Sequence, residues 1–387
     1  MQSLRLVNFR TVSAPGTQTL SADFVVGRKA KTVWFRTDED RICDTADPFI
    51  PAALIPAMRR NWQLVVEGEA SATLLEGTQR IQETMSGWYP EYHQIPVQVD
   101  STAHSEATGD RPAATFFSGG VDSFYTLQQH RDEISHLIFV HGIDIPLGHK
   151  NERLRASDSV RQLAASLGLQ LVEVETNLRQ FGQTHVSWPN AYCGAALAAV
   201  ALLLSPRFSR IFVPATVSAA QLEPMGSHPD LDPNWSNETM QLVHDGLHAT
   251  RFDKVREIGA WQLVHSHLRV CYQRNTTALN CGRCRKCLWT MMLLSASGDL
   301  DQLETFAVPL DLDALQLYPP ESAWARYYTA TLIEEALELL EGRNANPELR
   351  AILRAMLDGN GKIPVREKLK RIFARGRTYL AHRLDRD

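Results

Sequence analysis

The stretch Ala114-Thr115-Phe116-Phe117-Ser118-Gly119-Gly120-Val121-Asp122-Ser123 narrows the available folds more than any other part of the chain. Ala114 to Phe117 reads as a short buried strand, and Val121 to His130 as a helix. The two adjacent glycines between them admit backbone conformations that a Cβ resists. A strand that hands the chain through a bare main-chain turn to a helix N-terminus is one half of a βαβ unit. The alternation continues, with strands at Leu137 to Val140, Leu169 to Val174 and Arg210 to Val213. Helices fall at Ala156 to Leu167, closed by Gly168, and at the alanine-rich Ala191 to Leu204. This pattern predicts an α/β domain with a doubly wound parallel sheet, whose ligand lies beyond the carboxyl ends of the strands. The glycine turn sits at such an end.

That turn has the chemistry of a phosphate cradle. Successive N–H groups converge, and the helix dipole favours negative charge. Ser118 and Ser123 add hydroxyl groups, and Asp122 can hold a metal ion or orient the helix start. No Lys-Ser or Lys-Thr pair follows, so the loop is not of the Walker A type, and the glycine spacing differs from that of dinucleotide-binding loops. A Gly-Gly turn with an aspartate cap is the bland alternative.

Four of the six cysteines, Cys271, Cys281, Cys284 and Cys287, crowd into seventeen residues. Two overlapping C-x2-C steps let one knuckle present three sulfurs, and four thiolates close a tetrahedral shell that suits a structural Zn²⁺. An iron-sulfur cluster takes the same ligands. With the shell complete, His265 and His267 read as solvent or loop residues. Cys193, on the alanine-rich helix, reads as a small core residue.

Flanking these motifs, three regions are expected. Residues 1–105 form an N-terminal α+β domain with strands near Phe24 to Val26, Thr32 to Phe35 and Leu64 to Val66 and a helix from Thr73 to Met85. Asp100 to Pro112 is a linker, 112–300 holds the α/β domain of the glycine turn with its cysteine site, and 301–387 is a helical extension ending in a basic helix from Pro364 to Arg386. The long segment Gln221 to Asn237 follows a strand where an active-site loop belongs. A formal charge of -4 argues against a strongly electrostatic nucleic-acid or membrane partner. The start Met1-Gln2-Ser3-Leu4-Arg5 lacks the apolar stretch of a secretion signal, and clustered cysteines suit a reducing compartment, so a cytoplasmic location is expected.

The order of Ser118-Gly119-Gly120-Val121-Asp122-Ser123 and the later Cys271-Tyr272-x8-Cys281-Gly282-x-Cys284-x2-Cys287 resembles the PP-loop ATP pyrophosphatase family, in particular its 7-cyano-7-deazaguanine synthase branch. The resemblance covers Ala113 to Leu294, about half the chain. It implies that the loop grips the pyrophosphate of Mg²⁺-bound ATP, that the cysteines bind Zn²⁺, and that a small-molecule carboxylate, a 7-carboxy-7-deazaguanine or similar, is adenylated. Ammonia then displaces AMP, and a second activation turns the amide into a nitrile. His228-Pro229-Asp230 resembles the family's Tyr-Pro-Asp loop near the substrate, which makes His228, Asp230 and the following Asp232 candidate substrate contacts. Lys254 falls in a lysine-containing helix start and is a candidate phosphate partner. Pro189-Asn190 resembles the family's turn before its long helix but lacks the arginine, and the loop His141 to Arg155 is longer, keeping only His149, Lys150 and Arg153 as basic residues.

Some relatives of this synthase in bacterial antiphage defence carry additions and attach a deazapurine to a partner protein, so a protein acceptor, like a homodimer, stays in view. A tRNA-thiolating enzyme on the same loop needs a sulfur-carrying cysteine, for which only Cys43 and Cys193 remain. A nucleotide-binding scaffold is the non-enzymatic reading.

Overall fold

The computed structural model describes residues 2–103, 110–272, 278–316 and 323–358. The chain divides into two compact units, the first formed by residues up to Cys281 together with Gln302–Ala307, the second by Gly282–Asp301 and the chain from Val308 onward.

In the first unit, β1 (Ser3–Ala14), β2 (Thr17–Val26) and β3 (Lys29–Thr37) form an antiparallel meander. Helix α1 (Phe49–Arg60) leads to β4 (Gln63–Ser71), which pairs parallel to β1, and α2 (Ala72–Trp88) leads to β5 (Val97–Ala103), parallel to β4. The α/β part follows as β6 (Ala113–Phe116), α3 (Val121–Gln129), β7 (Ile134–His141), α4 (Lys150–Leu167), β8 (Gln170–Thr176), the short α5 (Leu178–Gly182), a π turn at Trp188–Tyr192 and α6 (Cys193–Leu203). It closes with β9 (Arg210–Pro214), β10 (Gln241–Asp245), α7 (Arg251–Gly259) and α8 (Gln262–His267).

All ten strands join one sheet in the order β10-β9-β6-β7-β8-β3-β2-β1-β4-β5. The run from β10 to β8 is parallel throughout. All four residues of β6 are buried, as befits a central parallel strand covered on both faces. The sheet is therefore α/β and largely parallel, as the alternation predicts.

The expected boundary near residue 105 falls inside this sheet rather than between two cores. β3 lies antiparallel along β8, pairing Phe35 with Thr176, Arg36 with Glu175 and Thr37 with Val174. An open edge of β8 would leave backbone groups unpaired, and β3 satisfies them. The hydrophobic core is correspondingly shared: Phe35, Phe49 and Met58 belong to one buried cluster with Ile138, Val174 and Tyr192. The Tyr192 hydroxyl donates to the Ala52 carbonyl at 2.9 Å, tying α1 to the start of α6.

Several elements depart from the sequence expectation. Helix α1 is buried from Phe49 to Met58 although Pro51 and Pro56 lie in it, and it stops at Asn61 with φ of 52°. The supposed linker starts as strand: β5 runs through Ala103, while 104–109 lie outside the described residues. The expected helix at 191–204 opens as a π turn before becoming α6.

In the second unit the described residues are helical: α9 (Arg285–Ser297), α10 (Leu312–Gln316), α11 (Ala323–Gly342) and α12 (Pro347–Leu357). On α11, Leu332, Ile333, Ala336, Leu337 and Leu340 are buried at helical spacing. Asn346 caps α12 by accepting from the Leu349 amide at 3.1 Å. The basic helix expected from Pro364 to Arg386 lies outside the described residues. No described helix is long and apolar enough to cross a membrane.

Candidate functional site

The Ser118–Ser123 loop sits at the carboxyl end of β6, flanked in the sheet by β7 and β9, and its last three residues open α3. Gly119 takes φ of +79°, and a Cβ built there would stand 3.3 Å from Arg269 Cβ. Glycine is thus required both by the backbone angle and by the close approach of a second segment. Gly120, extended at φ -79° and ψ 167°, is the N-cap of α3. Ser123 is buried, and its Oγ donates to the Gly120 carbonyl at 2.9 Å.

The direction of the loop's peptides is set from one side. Arg269 donates its backbone N–H to the Gly119 carbonyl at 2.7 Å and its Nε to the Ser118 carbonyl at 3.0 Å. In a trans peptide the N–H points opposite the C=O, so the amides of Gly119 and Gly120 face away from Arg269. The Val121 and Asp122 amides belong to the first helical turn, whose donors have no partner within the helix. Together they form a concave group of donors at a helix N-terminus, suited to an anion.

Two arginines border the loop. Arg251, the first residue of α7, places Nη1 2.6 Å from Asp122 Oδ1. Thr250 caps α7 in a capping box with Asp253, which fixes the helix start that carries Arg251. Arg269 also reaches Asp144, after β7, at 3.6 Å. Lys254, one turn beyond Arg251, is placed differently from the sequence expectation. It is 1% exposed, and its Nζ donates to the Ala215 carbonyl at 2.7 Å. Burial lowers its pKa, against the pull of Asp122. Arg251, not Lys254, meets the loop's carboxylate.

The three candidate substrate residues separate. His228 is buried, edge-on to Trp88 at 4.7 Å, and its Nδ1 accepts from the Asp230 amide at 3.1 Å. The Asp230 side chain is 65% exposed. Asp232 is fully buried, and its Oδ2 accepts from Ser227 Oγ and His244 Nδ1, both at 2.7 Å. Asp232 therefore anchors the 226–235 segment to β10 through Oδ2, and Asp230 is the solvent-exposed carboxylate of the two.

Cys193 stands near this anchor. Burial, then the Asp232 carboxylate, pushes its thiol up to about 12, and burial likewise takes Cys43 to about 12. Neither has the thiolate character that sulfur transfer requires.

The four clustered cysteines meet. The Sγ atoms of Cys271, Cys281, Cys284 and Cys287 all lie within 4.8 Å of one another. Tetrahedral Zn–S bonds of about 2.3 Å put sulfurs about 3.8 Å apart, so this donor set can hold a metal such as Zn²⁺. Gly282 has φ of +69°, and a Cβ there would lie 2.6 Å from Val308 Cγ2. His265 and His267, expected in solvent or a loop, are half-buried in α8: His265 Nε2 donates to the Gly259 carbonyl at 2.8 Å, and His267 Nδ1 pairs with Ser159 Oγ at 3.0 Å.

An open depression of about 420 Å³ lies among β3, β8 and α4. Its two glutamates are engaged: Glu173 accepts from His141, Ser157 and Arg161, and Glu175 pairs with Arg153 and Arg36. Arg153, one of the basic residues expected in the loop after β7, is spent in this network.

Arg251 and Arg269 escaped the sequence reading. The available signal for Arg251 was its position at N1 of a helix opened by the Thr250 to Asp253 capping box. Compared with known protein families, curated proteins and solved structures, the chain finds no match.

Proposed function

We propose that this chain binds Mg-ATP with its terminal phosphates on the Ser118–Ser123 loop and transfers AMP to a small-molecule carboxylate. The observation that supports this reading best is the outward set of loop amides, held by Arg269 and bordered by Arg251. A helix N-terminus alone favours many anions; the Arg251 guanidinium at the same helix start adds a cation suited to a polyanion.

In the reaction, a carboxylate oxygen attacks the α-phosphorus in line, the bond to the bridging oxygen breaks, and pyrophosphate departs toward the loop amides. Those donors are already oriented, so the charge that develops on the leaving group is met without reorganisation. Asp122 accepts from Arg251 at Oδ1, and its carboxylate would be the group to hold the Mg²⁺ that accompanies the nucleotide, where the metal would offset phosphate charge. An amine next attacks the acyl carbon, forming the C–N bond and expelling AMP, while a proton leaves the nitrogen. Asp230, whose carboxylate is exposed, is the residue we assign to a donor-rich ring edge such as a deazaguanine presents.

The test is to mix the protein with Mg-ATP, ammonia and 7-carboxy-7-deazaguanine and follow AMP, pyrophosphate and the deazapurine by mass spectrometry. Substrate-dependent AMP and an amide or nitrile product are expected. Absence of AMP with this acid and a panel of other carboxylates, or a nucleotide-soaked crystal with the phosphates elsewhere, overturns the proposal.

A further inference from the structure

The geometry points to a strap, Leu268–Cys271, that transmits the state of the cysteine cluster to the phosphate loop, with Arg269 as the positioning residue; the inference rests on the loop being the phosphate site proposed above. Asn280, the residue before Cys281, is completely buried. Its Oδ1 accepts from the amides of Val270 at 2.7 Å and Cys271 at 3.1 Å, and its Nδ2 donates to the Leu268 carbonyl at 2.7 Å. Its own backbone is fixed in turn, by its N–H to the Thr305 carbonyl at 3.1 Å and by the Ala307 amide to its C=O at 3.0 Å. One side chain thus holds the whole strap from the foot of the cysteine knuckle.

At its middle, the strap presents Arg269 to the carbonyls of Ser118 and Gly119. These two bonds decide which way the loop amides face. A glycine-rich turn has little conformational preference of its own, so its orientation has to come from such an external hold. A metal on the sulfurs fixes Cys271 and Cys281, the residues at the strap's end and beside Asn280. Without it, two cysteines near the strap lose their common anchor, and the peptide direction of Gly119 and Gly120 is no longer specified. Nucleotide affinity therefore depends on the metal although no cysteine touches the nucleotide.

The experiment compares full-length wild type, Arg269→Ala, Arg269→Lys, Asn280→Ala and chelator-treated wild type. Three quantities are read: metal content by atomic emission, Mg-ATP affinity by calorimetry, and hydrogen exchange at Gly119 to Asp122. Arg269→Ala is expected to keep its metal and melting temperature yet weaken Mg-ATP about tenfold, the scale of losing a charge-assisted hydrogen bond. Arg269→Lys recovers part of this, since an ammonium still reaches one carbonyl. Asn280→Ala with metal retained, and the chelated protein, both lose affinity and exchange faster at the loop. Wild-type affinity and exchange in Arg269→Ala, or in the chelated protein, overturn the inference. Should wild type itself fail to bind Mg-ATP, the nucleotide reading falls instead, while loop exchange on chelation still tests the strap. Arg269→Ala decides the matter if Asn280→Ala does not fold.

Discussion

The Nη1 of Arg251 lies 2.6 Å from the Oδ1 of Asp122, joining the first residue of α7 to the first turn of α3. With side chains 14% and 21% exposed, the pair is largely shielded, so removing either partner takes away a partly desolvated charge contact. Asp122→Asn is expected to lower ATP-dependent AMP formation by about a hundredfold, the scale of losing an oriented electrostatic contact. Arg251→Met should act in the same direction. Wild-type turnover in either variant, measured as pyrophosphate release, contradicts their assignment to the site.

Gly119→Ala places a Cβ at φ of +79° and 3.3 Å from Arg269 Cβ. The left-handed conformation costs a non-glycine residue about 1–2 kcal/mol. The variant is expected to remain folded by circular dichroism while Mg-ATP binding weakens at least about tenfold. Unchanged binding would mean that the loop conformation does not matter to the ligand.

For Lys254 the expected effect falls on stability. Lys254→Met leaves the buried Ala215 carbonyl without its partner, a loss of about 1–3 kcal/mol. Thermal denaturation should register this, with nucleotide affinity of the folded protein little altered. A large affinity loss at unchanged melting temperature would restore the direct phosphate role expected from sequence.

Asp230 and Asp232 make an internal control. Asp232→Asn removes a fully buried carboxylate that accepts from Ser227 and His244, and it is expected to lower the melting temperature. Asp230→Asn, at an exposed side chain, should leave melting alone and raise the KM for the carboxylate substrate. Equal stability loss in both would show that the separation by burial is mistaken.

Glu173 ties stability to acid. Burial alone would raise its pKa, but donors from His141, Ser157 and Arg161 outweigh it and bring it down to about 2 from 4.5. Its folded pKa lies below the unfolded one, so its stabilisation is present above about 4.5 and is lost as pH falls toward about 2. Glu173→Gln should therefore destabilise the protein at neutral pH, by no more than about 3 kcal/mol, and converge on wild type near pH 2. Denaturant titrations across this range check the sign.

What the sequence made legible was local. A Gly-Gly turn between an apolar strand and a helix, and cysteines three residues apart, announce themselves because the residues that act together are neighbours in the chain. Contacts across long separations were not legible: Arg251 meets Asp122 and Arg269 meets Ser118 only after the sheet has assembled. Asp230 and Asp232 look equivalent in a string and differ only by what covers them. Helix α1 has no such local signal, because it carries Pro51 and Pro56; Pro51 sits in its first turn, and burial of Phe49 to Met58 offsets the missing bond at Pro56. The pairing of β3 with β8 could not be read at all, since nothing in either segment marks the other.

That pairing also governs what trimming would do. A fragment beginning at Ala113 keeps the glycine turn and every α/β element but uncovers the flank of β8 from Val174 to Thr176. Bare backbone donors and acceptors there invite the same flank of a second copy. In the whole chain, β3 from the first hundred residues occupies that flank.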